Sequence, residues 1–145
     1  MKLFPIVALT ASLALGPSMA ASADGLSVAP FQARYEVYGS GFSIGEAVMT
    51  LTAAGPDAYR MSSEVRPNGL ATLLVSGQVS EAASGEIRDG AVQPAQYTRR
   101  VETSRKTQNV QLRFDWAANR IQARDDRAQA TLPLSPGVVD PLSLN

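Results

Sequence analysis

Apolar and polar residues alternate one for one over most of this chain. The pattern is sharpest at Val110-Gln111-Leu112-Arg113-Phe114-Asp115-Trp116, where Val110, Leu112, Phe114 and the single tryptophan fall on alternate positions. Successive side chains of a strand point to opposite faces, so this run predicts a half-buried strand with one greasy side and one wet side. Burying those four side chains would contribute roughly 1.5–3 kcal/mol each before conformational entropy is subtracted. The same period recurs upstream. Phe31, Ala33, Tyr35 and Val37 share one parity, then Ala47, Met49 and Leu51, then Tyr59, Met61, Ser63 and Val65. Gly39-Ser40-Gly41 and Gly55-Pro56-Asp57 separate these runs and carry the residues that turns require.

The period changes at Pro67-Asn68-Gly69. Leu70, Leu73 and Leu74 recur at helical spacing, which predicts one or two turns of helix near 69–75, ended by Gly77. A weaker strand over Gln78–Ile87 leads to Asp89-Gly90, a strong two-residue hairpin signal. Its partner, Val92–Thr103, contains Pro94, and counting straight back from the turn puts Tyr97 and Val101 out of phase with Val79 and Ile87. A one-residue bulge at Pro94 restores the phase, since proline inside a strand marks a bulge or an edge. Val79 then faces Val101 and Glu81 faces Arg99. A loop over Ser104–Thr107 precedes the Val110–Trp116 strand, with Tyr97 opposite Phe114 in the simplest register. Asn119-Arg120 and Asp125-Asp126-Arg127 turn the chain into Ile121–Arg124 and Ala128–Leu132. Residues 134–145 read as a loop and a truncated helix start, with Asp140 as N-cap and Pro141 at the first position. The expected fold is mainly β: an antiparallel meander over residues 31–133 forming an open or partial barrel, with one short helix near 69–75.

The first residues have a different character. Lys2 precedes an apolar run from Leu3 to Leu15, and Ser18-Met19-Ala20 and Ala21-Ser22-Ala23 follow as small-residue cleavage sites. This predicts a signal peptide over 1–23, cleaved near Ala20 or Ala23, a disordered leader over 24–30, and a periplasmic or secreted product. Thirteen residues interrupted by Pro5 are too few to span a bilayer comfortably. Acids and bases number 13 each, so losing Lys2 leaves a slight acidic excess, a poor basis for nucleic-acid binding. Cysteine and histidine are absent. An exported chain without disulfides must rest on noncovalent packing, and Ser-His pairs, Cys-His pairs and ordinary zinc sites are excluded.

Three features bear on chemistry. Tyr35, Met49, Met61, Tyr97 and Trp116 form a mixed apolar face that could line a groove for an acyl chain; a stripe of this kind is more often ordinary core. Glu81 and Arg99, opposed on the inward face if the bulge exists, could bind a polar headgroup or hold a carboxylate poised for acid–base work, against the simpler reading of a solvated cross-strand pair or two residues that never meet. Arg99, Arg100, Arg105 and Lys106 could contact phosphate headgroups, although a hairpin end is where solvated charge normally sits, and Glu102 lies among them. No nucleophile, phosphate-binding glycine loop or calcium-loop spacing appears.

Phe31–Ala47 (FQARYEVYGSGFSIGEA), Asn68–Leu73, Phe114-Asp115-Trp116 and Leu132-Pro133-Leu134 with Asp140-Pro141-Leu142-Ser143 resemble the domain-of-unknown-function 3108 family. The resemblance implies an exported bacterial envelope protein of β-rich fold and supplies no catalytic residues. The family pattern continues past Asp-Pro-Leu-Ser with a helix and more strands, so this chain is expected to be the first part of a longer domain. More loosely, a meander crossed by a helix looks like the open barrels of periplasmic lipoprotein carriers. The expected role is non-enzymatic, without a cofactor: binding of a lipid or other lipophile in envelope upkeep through a concave apolar face bearing Tyr35, Met49, Met61, Tyr97, Arg99 and Trp116. The alternative is a protein-interaction module pairing through exposed strand edges with an envelope protein or a second copy. A hydrolase on spatially assembled carboxylates is a distant third.

Overall fold

Eight strands follow one another in a computed structural model that describes residues 29–39, 41–69, 72 and 77–144. They are β1 (Phe31–Gly39), β2 (Phe42–Ala53), β3 (Ala58–Pro67), β4 (Gly77–Arg88), β5 (Ala91–Thr103), β6 (Thr107–Asp115), β7 (Arg120–Asp125) and β8 (Gln129–Pro133). Each strand pairs antiparallel with its chain neighbours in the order β1 to β8, giving one meander sheet that is not closed into a barrel. The expected signal peptide over 1–23, residues 24–28 of the leader over 24–30 and most of the helix near 69–75 lie outside the described residues. Of that helix Thr72 is described, in helical conformation, with its hydroxyl donating to the Gly69 carbonyl at 2.7 Å.

Turn chemistry sets the register. Asp89 and Gly90 both have positive φ, 51° and 73°, the backbone of a tight hairpin whose twist matches that of its strands. The bulge expected at Pro94 is present: Ser84 pairs with Gln96 but Gly85 with Pro94, leaving Ala95 as the extra residue. Downstream of it Val79 opposes Val101 and Glu81 opposes Arg99. The β5–β6 connection is tighter than its sequence implies. The Thr103 hydroxyl accepts from the Lys106 amide at 3.0 Å, closing the turn one residue earlier and pairing Tyr97 with Leu112 rather than Phe114.

Paired residues point to one face, so the register sorts every strand. One face carries Tyr59, Met61, Ala83, Tyr97, Phe114 and Ile121, all buried, with Met49, Leu51, Val92 and Leu112 partly buried beside them. The other carries Gln32, Thr50, Ser62, Ala82, Thr98 and Gln111 in a single cross-strand row. Residues of β1 and β6, five strands apart, together line a concavity of about 750 Å3 on this polar face. The sheet therefore curls toward its polar side. Glu81, Arg99 and Val110, from the apolar-face positions, also border this concavity.

The apolar face is covered in part by the chain's own end. After β8 the chain turns back, the Leu134 amide donating to the Asn119 carbonyl at 2.9 Å, and Leu134, Val138 and Leu142 pack onto the cluster of Tyr59, Met61, Tyr97 and Phe114. Leu142 is 2% exposed and Asp140 is fully buried. The segment expected as a truncated helix start is a turn over 141–144 with Asp140 as its cap. Leu142→Ala is expected to lower stability by about 2–5 kcal/mol, the range for truncating a buried leucine, whereas exposed Leu144→Ala should change it by under about 0.5 kcal/mol. Urea unfolding of the two variants checks whether the tail is docked.

Candidate functional site

Two polar constellations organise the apolar face. The first holds the tail. Asp140 Oδ1 accepts from the amides of Leu142 and Ser143, both at 3.0 Å, and its Oδ2 accepts from Ser143 Oγ at 2.6 Å and the Tyr59 hydroxyl at 3.4 Å. Each carboxylate oxygen thus has two donors, which is what a buried carboxylate needs to offset its lost hydration. Tyr59 is fixed by β3, where it pairs with Gly85. A Cβ on Gly85 would come within 2.3 Å of the Gln93 carbonyl oxygen, 2.8 Å of the Pro94 Cα and 2.9 Å of the Tyr59 ring, so a side chain there would force apart the β4–β5 bulge as well as press on the ring. Burial raises the Tyr59 phenol above its ordinary value; a hydrogen bond between its hydroxyl and Ser143 Oγ at 3.2 Å offsets this in part and the Asp140 charge adds to it.

The second constellation borders the covered area. Tyr97, 3% exposed, donates to Glu81 Oε1 at 2.5 Å, and Arg99 Nε lies 3.6 Å from the same oxygen. Burial, the Glu81 bond and the Glu81 charge raise the Tyr97 phenol well above its ordinary value, with Arg99 opposing. The Arg99 side chain is 46% exposed, so its pairing with Glu81 is worth little, and the guanidinium remains able to meet a ligand.

The six expected ligand residues divide under this geometry. Tyr97 and Met61, the latter 7% exposed, lie in the core beneath the tail. Trp116 packs on that core from its edge, its indole N–H donating to the buried Pro94 carbonyl at 2.8 Å. Met49 is partly buried at the margin, while Tyr35 is 53% exposed. Met49, Tyr35 and Arg99 therefore border the part of the face that the tail leaves open, together with Phe31, Val65, Val79 and Val101.

The basic cluster splits. Arg99 and Arg100 point to opposite faces, Arg100 bonds Glu102 at 3.2 Å, and Arg105 and Lys106 sit in the turn before β6. Asp125 caps its own turn, accepting from the Arg127 and Ala128 amides at 2.7 Å, and Asp126 ties that turn to β6 by accepting from the Asn109 amide and side chain. Those bonds hold both carboxyls below their ordinary value. Among the described residues no three Asp or Glu side chains gather as a metal site would need, and no helix is long and apolar enough to cross a membrane.

Sequence reasoning missed Tyr59, Asp140 and Ser143 as a unit. Asp140-Pro141 did signal a cap, but no local pattern announces that the capped turn is inserted against β3, 81 residues away.

A family model described as a protein of unknown function, DUF3108, matches residues 34–144. No curated protein and no solved structure matches the chain.

Alkaline titration checks both tyrosines. A phenol raised in the folded state contributes stability that is fully present below the unfolded value near 10.0 and is lost as pH rises toward the folded value. The midpoint of thermal unfolding is therefore expected to fall as pH increases above about 10. The slope should be shallower in Tyr97→Phe, as followed by circular dichroism.

Proposed function

The chain belongs to the DUF3108 protein family of unknown function, and from its geometry we propose that it is an exported, non-enzymatic protein holding a lipophilic ligand on the open part of its apolar face. One observation carries this reading. The tail covers the face over the buried cluster of β3 to β7 but leaves Phe31, 42% exposed, and Tyr35 in water beside Met49 and Leu51. Contiguous apolar surface of this kind on a folded chain marks a place where something else binds. Its make-up suits an acyl chain: flexible Met49 adapts to irregular ligands, Tyr35 adds a flat wall, and Val65, Val79 and Val101 continue the floor in one cross-strand row. Arg99 at the border offers a cation to an anionic headgroup. An amphiphile lying with its tail over β1–β2 and its head over β5 satisfies both.

A second reading rests on β1 itself. This nine-residue strand is paired with β2 on one side and is an edge of the sheet on the other. Long edges with exposed aromatics are templates for another strand, and Tyr35 and Tyr38 make this one attractive to a partner.

Native mass spectrometry of the full chain, purified gently from the periplasm of an expressing bacterium, separates the two readings. The lipophile reading expects added masses releasable as lipid, retained by Arg34→Pro in β1 and lost from a folded Met49→Glu variant. Wild-type protein without added mass, or added mass indifferent to Met49→Glu, overturns it. A protein complex lost on Arg34→Pro but not on Met49→Glu supports the edge reading instead.

A further inference from the structure

β1 and β8 are the two edges of the sheet, and only β8 is guarded. It has five residues and ends at Pro133, the short, proline-bearing form that keeps an edge from pairing. β1 has nine residues and holds neither lysine nor proline, and among the described residues no strand pairs with its outer side. The irregularity in the β1–β2 pair does not blunt it. Val37 pairs with Gly45 and Tyr38 with Ser43, so the extra residue is Ile44 of β2 and β1 itself stays regular.

The charges of β1 are incompletely matched within the chain. On the polar face Glu36 lies directly opposite Glu46 of β2, a like-charged pair that opposes pairing. Arg34 reaches Glu46 at 2.5 Å, while Glu36 accepts from the Tyr38 hydroxyl. Among the described residues no cation pairs with Glu36. A guanidinium has five N–H donors, so Arg34, its side chain 62% exposed, can serve a second carboxylate.

The strand is also complementary to itself. Directly opposed residues of an antiparallel pair share a face, so two copies of β1 keep apolar against apolar only where odd-numbered residues oppose odd-numbered ones. The register centred on Tyr35 overlaps all nine residues. Arg34 of each copy then opposes Glu36 of the other, Ala33 opposes Val37, and Tyr35 opposes its own counterpart. Centring on Ala33 or Val37 shortens the overlap to five residues and separates Arg34 from Glu36.

We infer that β1 pairs antiparallel with β1 of a second copy about a two-fold axis at Tyr35, joining two chains into a homodimer with one continuous sheet. This rests on the edge reading given above and names its partner. Alternate residue pairs exchange two backbone bonds, so the junction holds about eight to ten of them. These supply the affinity, and the two exposed Arg34–Glu36 pairs, individually weak, fix the register. The open apolar surface around Phe31 and Tyr35 is extended across the axis rather than covered. The junction is small beside those of permanent dimers, so monomer and dimer exchange over about 1–100 μM.

Sedimentation velocity of the full chain over that range is the test, with a concentration-dependent shift from monomer to dimer expected. Arg34→Glu and Glu36→Arg, each alone, set like charges against each other in both pairs and should weaken the dimer about tenfold. An equimolar mixture of the two variants restores opposite charges in both pairs and should associate as the wild type does, which also shows both variants to be folded. Monomer at every concentration, or weakened variants that do not recover on mixing, would overturn the self-pairing. A dimer lost in a folded Arg34→Pro variant but indifferent to the charge reversals would overturn this register and leave the edge reading standing. A dimer that survives Arg34→Pro would overturn both.

Discussion

A sheet that is apolar on one side and polar on the other cannot stand in water with both sides bare. In this protein the requirement is met by a return of the chain, and the return depends on one buried carboxylate. Asp140 has two donors on each oxygen, two from the turn it caps, one from Ser143 and one from Tyr59. Those bonds fold the tail into a shape that presents Leu142 to Met61, Tyr97 and Phe114, and they tie that shape to β3. Without the bonds, burying Asp140 would oppose packing rather than direct it. The core is therefore an assembly of a sheet and a pinned turn, and the placement of everything on the apolar face follows from where the turn ends.

The two faces then take different parts. Over β3 to β7 the apolar side is sealed, and it opens at the β1–β2 end, where Tyr35 and Phe31 meet water. The polar side is curled, and its concavity mixes small hydroxyl-bearing side chains with charged ones such as Glu64 and Arg100. A single sequence pattern, apolar alternating with polar, thus creates both surfaces.

Much of this was legible in the chain. Asp89-Gly90 announced its hairpin, and the conflict of phase around Pro94 announced a bulge whose consequence, Glu81 against Arg99, is what the strands do. Such features are local or follow from parity, and parity is preserved along a strand. Legibility failed where the determinant was not local. The pairing of Tyr97 with Leu112 turned on the Thr103 hydroxyl closing a turn one residue early, which shifts register without changing face. Asp140 was readable as a cap and unreadable as a buried anchor, because burial was decided by Tyr59 on a distant strand.

The order of the strands has a kinetic meaning. Because every strand pairs with its neighbour in sequence, each hairpin closes a short loop, and the sheet can zip up from any of them with little loop-closure entropy to overcome at each step. The bond between Tyr59 and Asp140 spans 81 residues and joins parts that are positioned only after β3 to β8 are in place. Docking of the tail is then the late event of folding and its release the early event of opening. The apolar face of β3 to β7 would be bared in a sheet whose strands are all still paired.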